Sequence, residues 1–233
     1  DFVAHNVKDM DFGDPVFAGH TLKEINGVPV AIIGQAFPYT PIANPGHFTT
    51  GWTFGIQERE LQEKVDEVRA AGAQVVVLLS HNGADSDIKL ASRVTGLDAI
   101  LGGHTHDAIP RALEIKNAGG ITLVTNAGSN GKFLGVLDFD VRDGRIRGWS
   151  YRLLPVFAAL LPADPAMSDL IAHIRAPFAE QLAEPLAMTD DLLYRRGNFN
   201  GSVDQLICEA LMDELDSPIA LSPGFRWGTT LLP

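Results

Sequence analysis

Apolar residues in the first half of the chain fall into short blocks of two different periods. Val28–Ile33 is an unbroken, β-branched run between Asn26-Gly27 and Gly34, which predicts a central strand. Phe37–Trp52 is rich in Pro, Thr, Asn and Gly and has no period. It is a long loop, and loops of that length inside compact domains usually carry function. Leu61, Val65 and Val68 recur at helical spacing, predicting a helix over Gln57–Ala71 that stops at Gly72. Gln74–Leu79 is the next strand. Asp85-Ser86-Asp87 then offers N-cap chemistry for a short helix with Ile88, Ala91 and Val94 on one side. Leu97–Leu101 reads as a buried strand and, after an irregular stretch, so does Ile121–Thr125. Strand–helix–strand alternation of this kind requires a mostly parallel sheet with helical crossovers.

From residue 133 the pattern changes. Phe133–Val141 and Ile146–Leu154 flank Arg142-Asp143-Gly144-Arg145, a hairpin signature. Leu170, Ile174, Phe178 and Leu182, spaced by four, predict a helical connector over 166–184 that Pro177 bends. After Pro185 come a strand-like 187–194, a Gly/Asn loop at 197–201 and a helix at 203–215. The expected organisation is therefore an α/β domain over 1–160, a helical linker over 161–186 and the start of a second, α+β domain over 187–233. Asp1-Phe2-Val3-Ala4 reads as mid-strand and the chain stops at Leu-Leu-Pro, so an internal piece of a longer protein is expected.

Acidic residues outnumber basic ones 29 to 18, and no Lys/Arg cluster is present to neutralise phosphates, which argues against nucleic acid as a partner. No apolar run reaches the ~18–20 residues needed to span a bilayer. The single cysteine, Cys208, rules out an internal disulfide and a Cys-rich zinc module, and its place beside an apolar helix face suggests a buried, inert thiol.

The chemistry lies at two predicted strand ends. Ser80-His81-Asn82-Gly83 follows the strand 74–79, and Gly102-Gly103-His104-Thr105-His106-Asp107 follows the strand 97–101. In a parallel sheet both loops emerge at the same edge, where open α/β folds place their ligand sites. Neutral imidazole is a good ligand for Zn²⁺, Mn²⁺ and Fe, so His81, His104 and His106 are candidate metal ligands. In an extended segment His104 and His106 point to opposite faces, which suits two neighbouring ions better than one. A two-metal hydrolytic site also needs carboxylates. Asp85 and Asp107 are candidates, although each better suits a helix cap or turn. Asp9, Asp11 and Asp14 form an acidic loop read as solvated, and His5, His20, His47 and His173 are read as structural or solvated.

The two histidine loops together resemble the last two metal motifs of the calcineurin-like metallophosphoesterases, in the 5′-nucleotidase branch. The resemblance implies a four-layer sandwich of mixed sheets flanked by helices, with His81 and His104 on one ion and His106 on the other. It further implies that the family's earlier Asp-x-His, Gly-Asp and Gly-Asn-His motifs precede residue 1, so the general acid and base are not visible here and these residues alone should be inactive. Within the branch, Gly34–Pro41, Asn126–Gly135, Arg195–Gly201 and Ser222–Gly228 resemble the SoxB-type thiosulfohydrolases of sulfur oxidation. Phe225-Arg226-Trp227-Gly228 stands where nucleotidases carry a Gly-Gly-x-Arg segment. That likeness implies hydrolysis of a cysteine S-sulfonate, releasing sulfate during thiosulfate oxidation, on the swinging arm of a sulfur carrier protein. It also implies two divalent ions, manganese by resemblance with zinc also accommodated, a periplasmic location, and substrate contacts from Arg226, Asn198 and Arg196. Arg195, Asn200, Asn130 and Lys132 are secondary candidates. The competing readings are a nucleotidase or phosphodiesterase of the same fold, a mononuclear zinc hydrolase with a three-histidine cup, and a metal-free binding module.

Overall fold

The computed structural model describes residues 1–195, 200–222 and 230–233. The chain divides into two compact units, Asp1–Pro162 and Ala163–Pro233. The first unit runs through β1 (Lys8–Asp9), β2 (His20–Ile25), β3 (Val28–Gln35), α1 (Thr40–Ala43), a 3₁₀ turn (Gly46–Phe48) and β4 (Trp52–Thr53). It continues with α2 (Glu58–Ala70), β5 (Val75–Ser80), α3 (Ala84–Ala91), β6 (Ala99–Gly102), β7 (Leu113–Asn117), β8 (Gly120–Asn126), β9 (Phe133–Arg142) and β10 (Arg145–Pro155).

Six strands form one mixed sheet in the order β2-β3-β5-β6-β8-β7. Its centre, β3-β5-β6-β8, is parallel, and β2 and β7 are antiparallel edges. The fold is thus α/β, a central mixed sheet flanked by helices. The alternation seen in the sequence explains the core. Leu61, Val65 and Val68 of α2 are fully buried, and they pack with Val76 and Leu78 of β5, Ile33 of β3 and Ile100 of β6. The other face of β5 carries Val75 and Val77. It looks across a cavity of about 490 Å³ to Leu137, Phe139 and Val141 of the β9–β10 hairpin. Asp143 and Gly144, at φ 53° and 70°, make that hairpin's tight turn.

Four expectations are corrected here. Residues 1–4 are not a strand: Ala4 N–H donates to Ala18 and His5 N–H to Gly34, so the segment bonds once to each of two neighbours and builds no ladder. The Phe37–Trp52 loop is not featureless, since it holds α1 and a 3₁₀ turn. α3 starts at Ala84 with Gly83 as its N-cap, so Asp85-Ser86-Asp87 lies inside the helix and does not cap it. In the second unit, 187–194 forms no strand among the described residues. Leu193 makes only an isolated bridge to Leu231, and one bridge cannot propagate a ladder.

Among the described residues the helices of the second unit are α4 (Pro165–Arg175), a 3₁₀ turn (Ala176–Phe178), α5 (Ala179–Ala183) and α6 (Ser202–Glu214). Asp164 caps α4 by accepting from Met167 N–H at 2.8 Å, and the 3₁₀ turn holds Pro177, which cannot donate within a helix. Cys208 on α6 is free and only half-buried, not the buried thiol its place beside an apolar face suggested; Asp204 is the one buried residue on that helix.

Candidate metal centre

β5 and β6 pair in parallel with Leu79 opposite Leu101, so the two histidine loops leave the sheet side by side. His81 N–H donates to the Gln35 carbonyl at 3.0 Å, which carries the β3–β5 ladder one residue past the strand end. The His81 and His104 rings then meet with centroids 5.2 Å apart and planes at 69°. Phe37, from the Pro-rich loop, stacks on His104 at 4.0 Å and 27° and stands edge-on to His81 at 6.0 Å. Tyr39 packs edge-on against Phe37 at 5.8 Å. The loop read as functional from its length therefore supplies an aromatic wall over the histidine pair.

His104 and His106 are not extended, as their spacing suggested. Both sit in the left-handed region, at φ 69° and 60°, and Thr105 N–H between them donates to the Gly103 carbonyl at 2.9 Å. Side chains other than Gly enter this region at a cost, with Asn, Asp and His among the more tolerant. Strain of this kind concentrates at functional sites. The premise of opposite faces is thus replaced by a tight double turn. Among the described residues no three His, Cys, Asp or Glu side chains are grouped to hold one ion.

The carboxylates go elsewhere. Asp107 accepts from Thr105 Oγ1 at 2.6 Å, and Asp85 is exposed in the first turn of α3. Asp9 accepts three backbone N–H groups, from Asp11, Phe12 and Asp14, within its own turn. These bonds, that of Phe12 foremost, hold its carboxyl below the usual range.

Sequence reasoning missed a buried polar chain directly behind the histidines. Asp87 is fully buried, and its Oδ1 accepts from Ser80 Oγ at 2.6 Å and Asn82 Nδ2 at 3.1 Å. Asn82 Oδ1 accepts from Gln35 Nε2 at 3.1 Å, and Gln35 Oε1 pairs with His5 Nε2. Burial pushes Asp87 up to about 6 and His5 down to about 4. The signal was present: Asp87 shares a helical face with Ala84, Ile88 and Ala91, where a carboxylate has no place unless it is partnered.

Of the substrate candidates, Arg226, Arg196 and Asn198 lie outside the described residues. Arg195 pairs with Asp204 at 3.2 Å, and Asn200 Nδ2 donates to Gln205 Oε1 at 2.6 Å, so both serve the start of α6. Asn130 and Lys132 are exposed, and His47 is exposed with its ring against Phe48 at 4.4 Å.

No family model matches the chain. Among solved structures, sulfate thiohydrolase SoxB of Thermus thermophilus superposes on all of this chain with TM-score 0.89 and 38% identity. A 5′-nucleotidase precursor, also of Thermus thermophilus, superposes on 92% of the chain, with TM-score 0.78 and 25% identity. Among curated relatives, human 5′-nucleotidase is 26% identical over 79% of the chain, and the snake venom 5′-nucleotidase of Naja atra 24% over 83%. The chain belongs to the 5′-nucleotidase branch of the calcineurin-like metallophosphoesterases. It spans 42% of the SoxB chain, 46% of the bacterial nucleotidase, and 35% and 40% of the human and venom enzymes.

Enzymes of this branch are metal-dependent hydrolases, generally dinuclear. The residues present fit that requirement in part. His81 is held below the usual imidazole range, first by burial and then by the charges of His104 and His106, so it favours the neutral, metal-binding form. A Cβ on Gly103 would stand 3.2 Å from His81 Nδ1, so glycine there keeps that nitrogen's surroundings clear. The His81 loop thus presents a neutral imidazole with clear surroundings, the form a metal ligand needs. No helix among the described residues is long and apolar enough to cross a membrane.

Proposed function

We propose that this chain forms part of a SoxB-type hydrolase that releases sulfate from a cysteine S-sulfonate on a sulfur carrier protein. The reading rests on one observation: the 38% identity with sulfate thiohydrolase SoxB extends over the whole chain, against 25% with the bacterial nucleotidase over slightly less of it. In the reaction a water oxygen bonds to the sulfuryl sulfur, the S–S bond breaks, the thiol leaves with one of the water protons, and sulfate carries the oxygen while the second proton passes to solvent. The sulfuryl group is tetrahedral and anionic like phosphoryl, so a phosphoesterase scaffold accommodates it.

His81, His104 and His106 would hold the divalent ions, manganese in this reading, with carboxylate ligands from elsewhere in the protein. When bound, such ions supply Lewis acidity and neutralise charge on the transferred group. The chain's own side chains shape that site. Phe37 fixes the plane of His104 by stacking on it and closes one side of the pair to water. Asp87 and Gln35 set the His81 loop from behind. Arg226, Arg196 and Asn198 are the groups proposed to meet the sulfonate oxygens, Arg226 through the planar fork that lysine lacks. The domain over 1–160 would carry the metal site, 161–186 the linker and 187–233 the beginning of the substrate-binding domain. The likeness to SoxB supports a periplasmic location for the enzyme.

The test is a comparison of two substrates on the full-length enzyme loaded with Mn²⁺. Sulfate release from an S-sulfonated cysteine peptide, with little phosphate from AMP, is expected. Phosphate from AMP and no sulfate from the peptide would replace this reading with a nucleotidase.

A further inference from the structure

Helix α3 begins in an unusual way. The first N–H groups of a helix lack intrahelical partners and are normally met by a Ser, Thr, Asp or Asn at the N-cap. Here the N-cap is Gly83, at φ 99°, with no side chain to offer. The Ala84 N–H donates instead to Thr105 Oγ1 at 3.2 Å, and Thr105 lies in the other histidine loop, between His104 and His106. The same hydroxyl donates onward to Asp107 Oδ2 at 2.6 Å, so it is held from both sides. A Cβ on Gly83 would stand 2.9 Å from the Thr105 methyl and 3.6 Å from His104 Cδ2. Glycine at the cap is what lets Thr105 come close enough to replace it.

Three residues further along the helix, Asp87 turns back to the first loop. One of its oxygens, Oδ1, receives both Ser80 Oγ and Asn82 Nδ2, the residues on either side of His81. Ser80 Oγ also accepts from Asn82 N–H at 3.1 Å, closing the turn around His81. A single short helix is therefore bonded to both loops, by its first N–H to the His104–His106 turn and by a buried carboxylate to the His81 turn.

We propose that α3 is the strut that sets the spacing of the two histidine loops, with Thr105 and Asp87 as positioning residues for the 5.2 Å approach of His81 and His104. Neither touches the reacting group. Both act by fixing where imidazoles point, and such supporting contacts govern metal affinity on the order of 10–100-fold. The proposal relies on the metal-dependent reading above only for its titration. The spacing itself is a property of the metal-free protein.

The experiment uses the full-length enzyme and the variants Thr105→Val, Thr105→Ser, Asp87→Ala and Asp87→Asn, with Ser80→Ala reading the same carboxylate contact should Asp87→Ala fail to fold. Mn²⁺ affinity is measured by calorimetric titration, and crystal structures of the metal-free variants give the ring separation. Thr105→Val keeps the methyl and loses the hydroxyl, whereas Asp87→Asn keeps the accepting oxygen. Thr105→Val and Asp87→Ala should each weaken Mn²⁺ binding on the order of tenfold. Thr105→Ser and Asp87→Asn should recover most of it, and the His81–His104 separation should widen in the first pair alone. Unchanged affinity and unchanged separation in Thr105→Val and Asp87→Ala would overturn the proposal while leaving the metal reading intact. Should the wild type bind no Mn²⁺, the metal reading fails. The ring separations then decide alone: widened rings support the strut and unmoved rings overturn it.

Discussion

His5 and Asp87 stand at the two ends of one buried hydrogen-bonded chain, and burial displaces them in opposite directions, His5 from 6.5 to about 4 and Asp87 from 3.8 to about 6. Between pH 6.5 and 4 the unfolded chain takes up a proton on His5 that the folded chain refuses. That group alone therefore costs stability as the pH falls, by about 3 kcal/mol over the window. Between pH 6 and 3.8 the folded chain holds a proton on Asp87 that the unfolded chain releases. That group alone adds stability as the pH falls, again by about 3 kcal/mol. The two nearly cancel, so the pair should contribute less than about 1 kcal/mol of net change between pH 6.5 and 4. Removing either member exposes the other. His5→Gln should gain about 3 kcal/mol relative to wild type between pH 6.5 and 4, and Asp87→Asn should lose about as much. Urea unfolding of the metal-free protein at half-unit pH steps, with the variant-minus-wild-type difference plotted against pH, reads this directly. Two differences that are flat with pH, or that tilt the same way, would refute the assignment of opposed buried charges.

Three further outcomes follow from the geometry. His104→Ala in the full-length enzyme should lose one divalent ion per chain, read by elemental analysis, and nearly all turnover, whereas His173→Ala, exposed on α4, should leave both almost unchanged. Leu78→Ala empties a fully buried position between α2 and the sheet and should cost about 2–5 kcal/mol in urea unfolding, with metal stoichiometry retained. Gly83→Ala places a Cβ 2.9 Å from the Thr105 methyl at a backbone φ of 99°, so it should destabilise by about 1–3 kcal/mol and weaken Mn²⁺ binding in the same protein.

Wherever burial is one-sided, the sequence is a sufficient guide. Leu61, Val65 and Val68 could lie together only on a helix, and the unbroken apolar run Val75–Leu79, with Val75, Val76 and Leu78 buried, only in the middle of a sheet. The strands that hydropathy does not announce are the edges: β2 reads His-Thr-Leu-Lys-Glu-Ile and β7 Leu-Glu-Ile-Lys-Asn, each with the charges that protect an edge from further pairing. The histidines were legible for a different reason, because strand ends in a parallel sheet fix where their loops emerge whatever the loops themselves do. What those loops do was not legible. The left-handed turns at His104 and His106 depend on Thr105 reaching α3, and the setting of His81 depends on a carboxylate six residues on, turned inward. Both are bonds between segments that periodicity treats as independent. Yet each leaves a local anomaly, a glycine where a helix wants a capping side chain and an aspartate on an apolar helical face. Conflicts of this kind between local preference and position are where a functional arrangement overrides the general rules of folding. In this chain both conflicts fall on the same eight-residue helix, and that coincidence points past the histidines to what holds them in place.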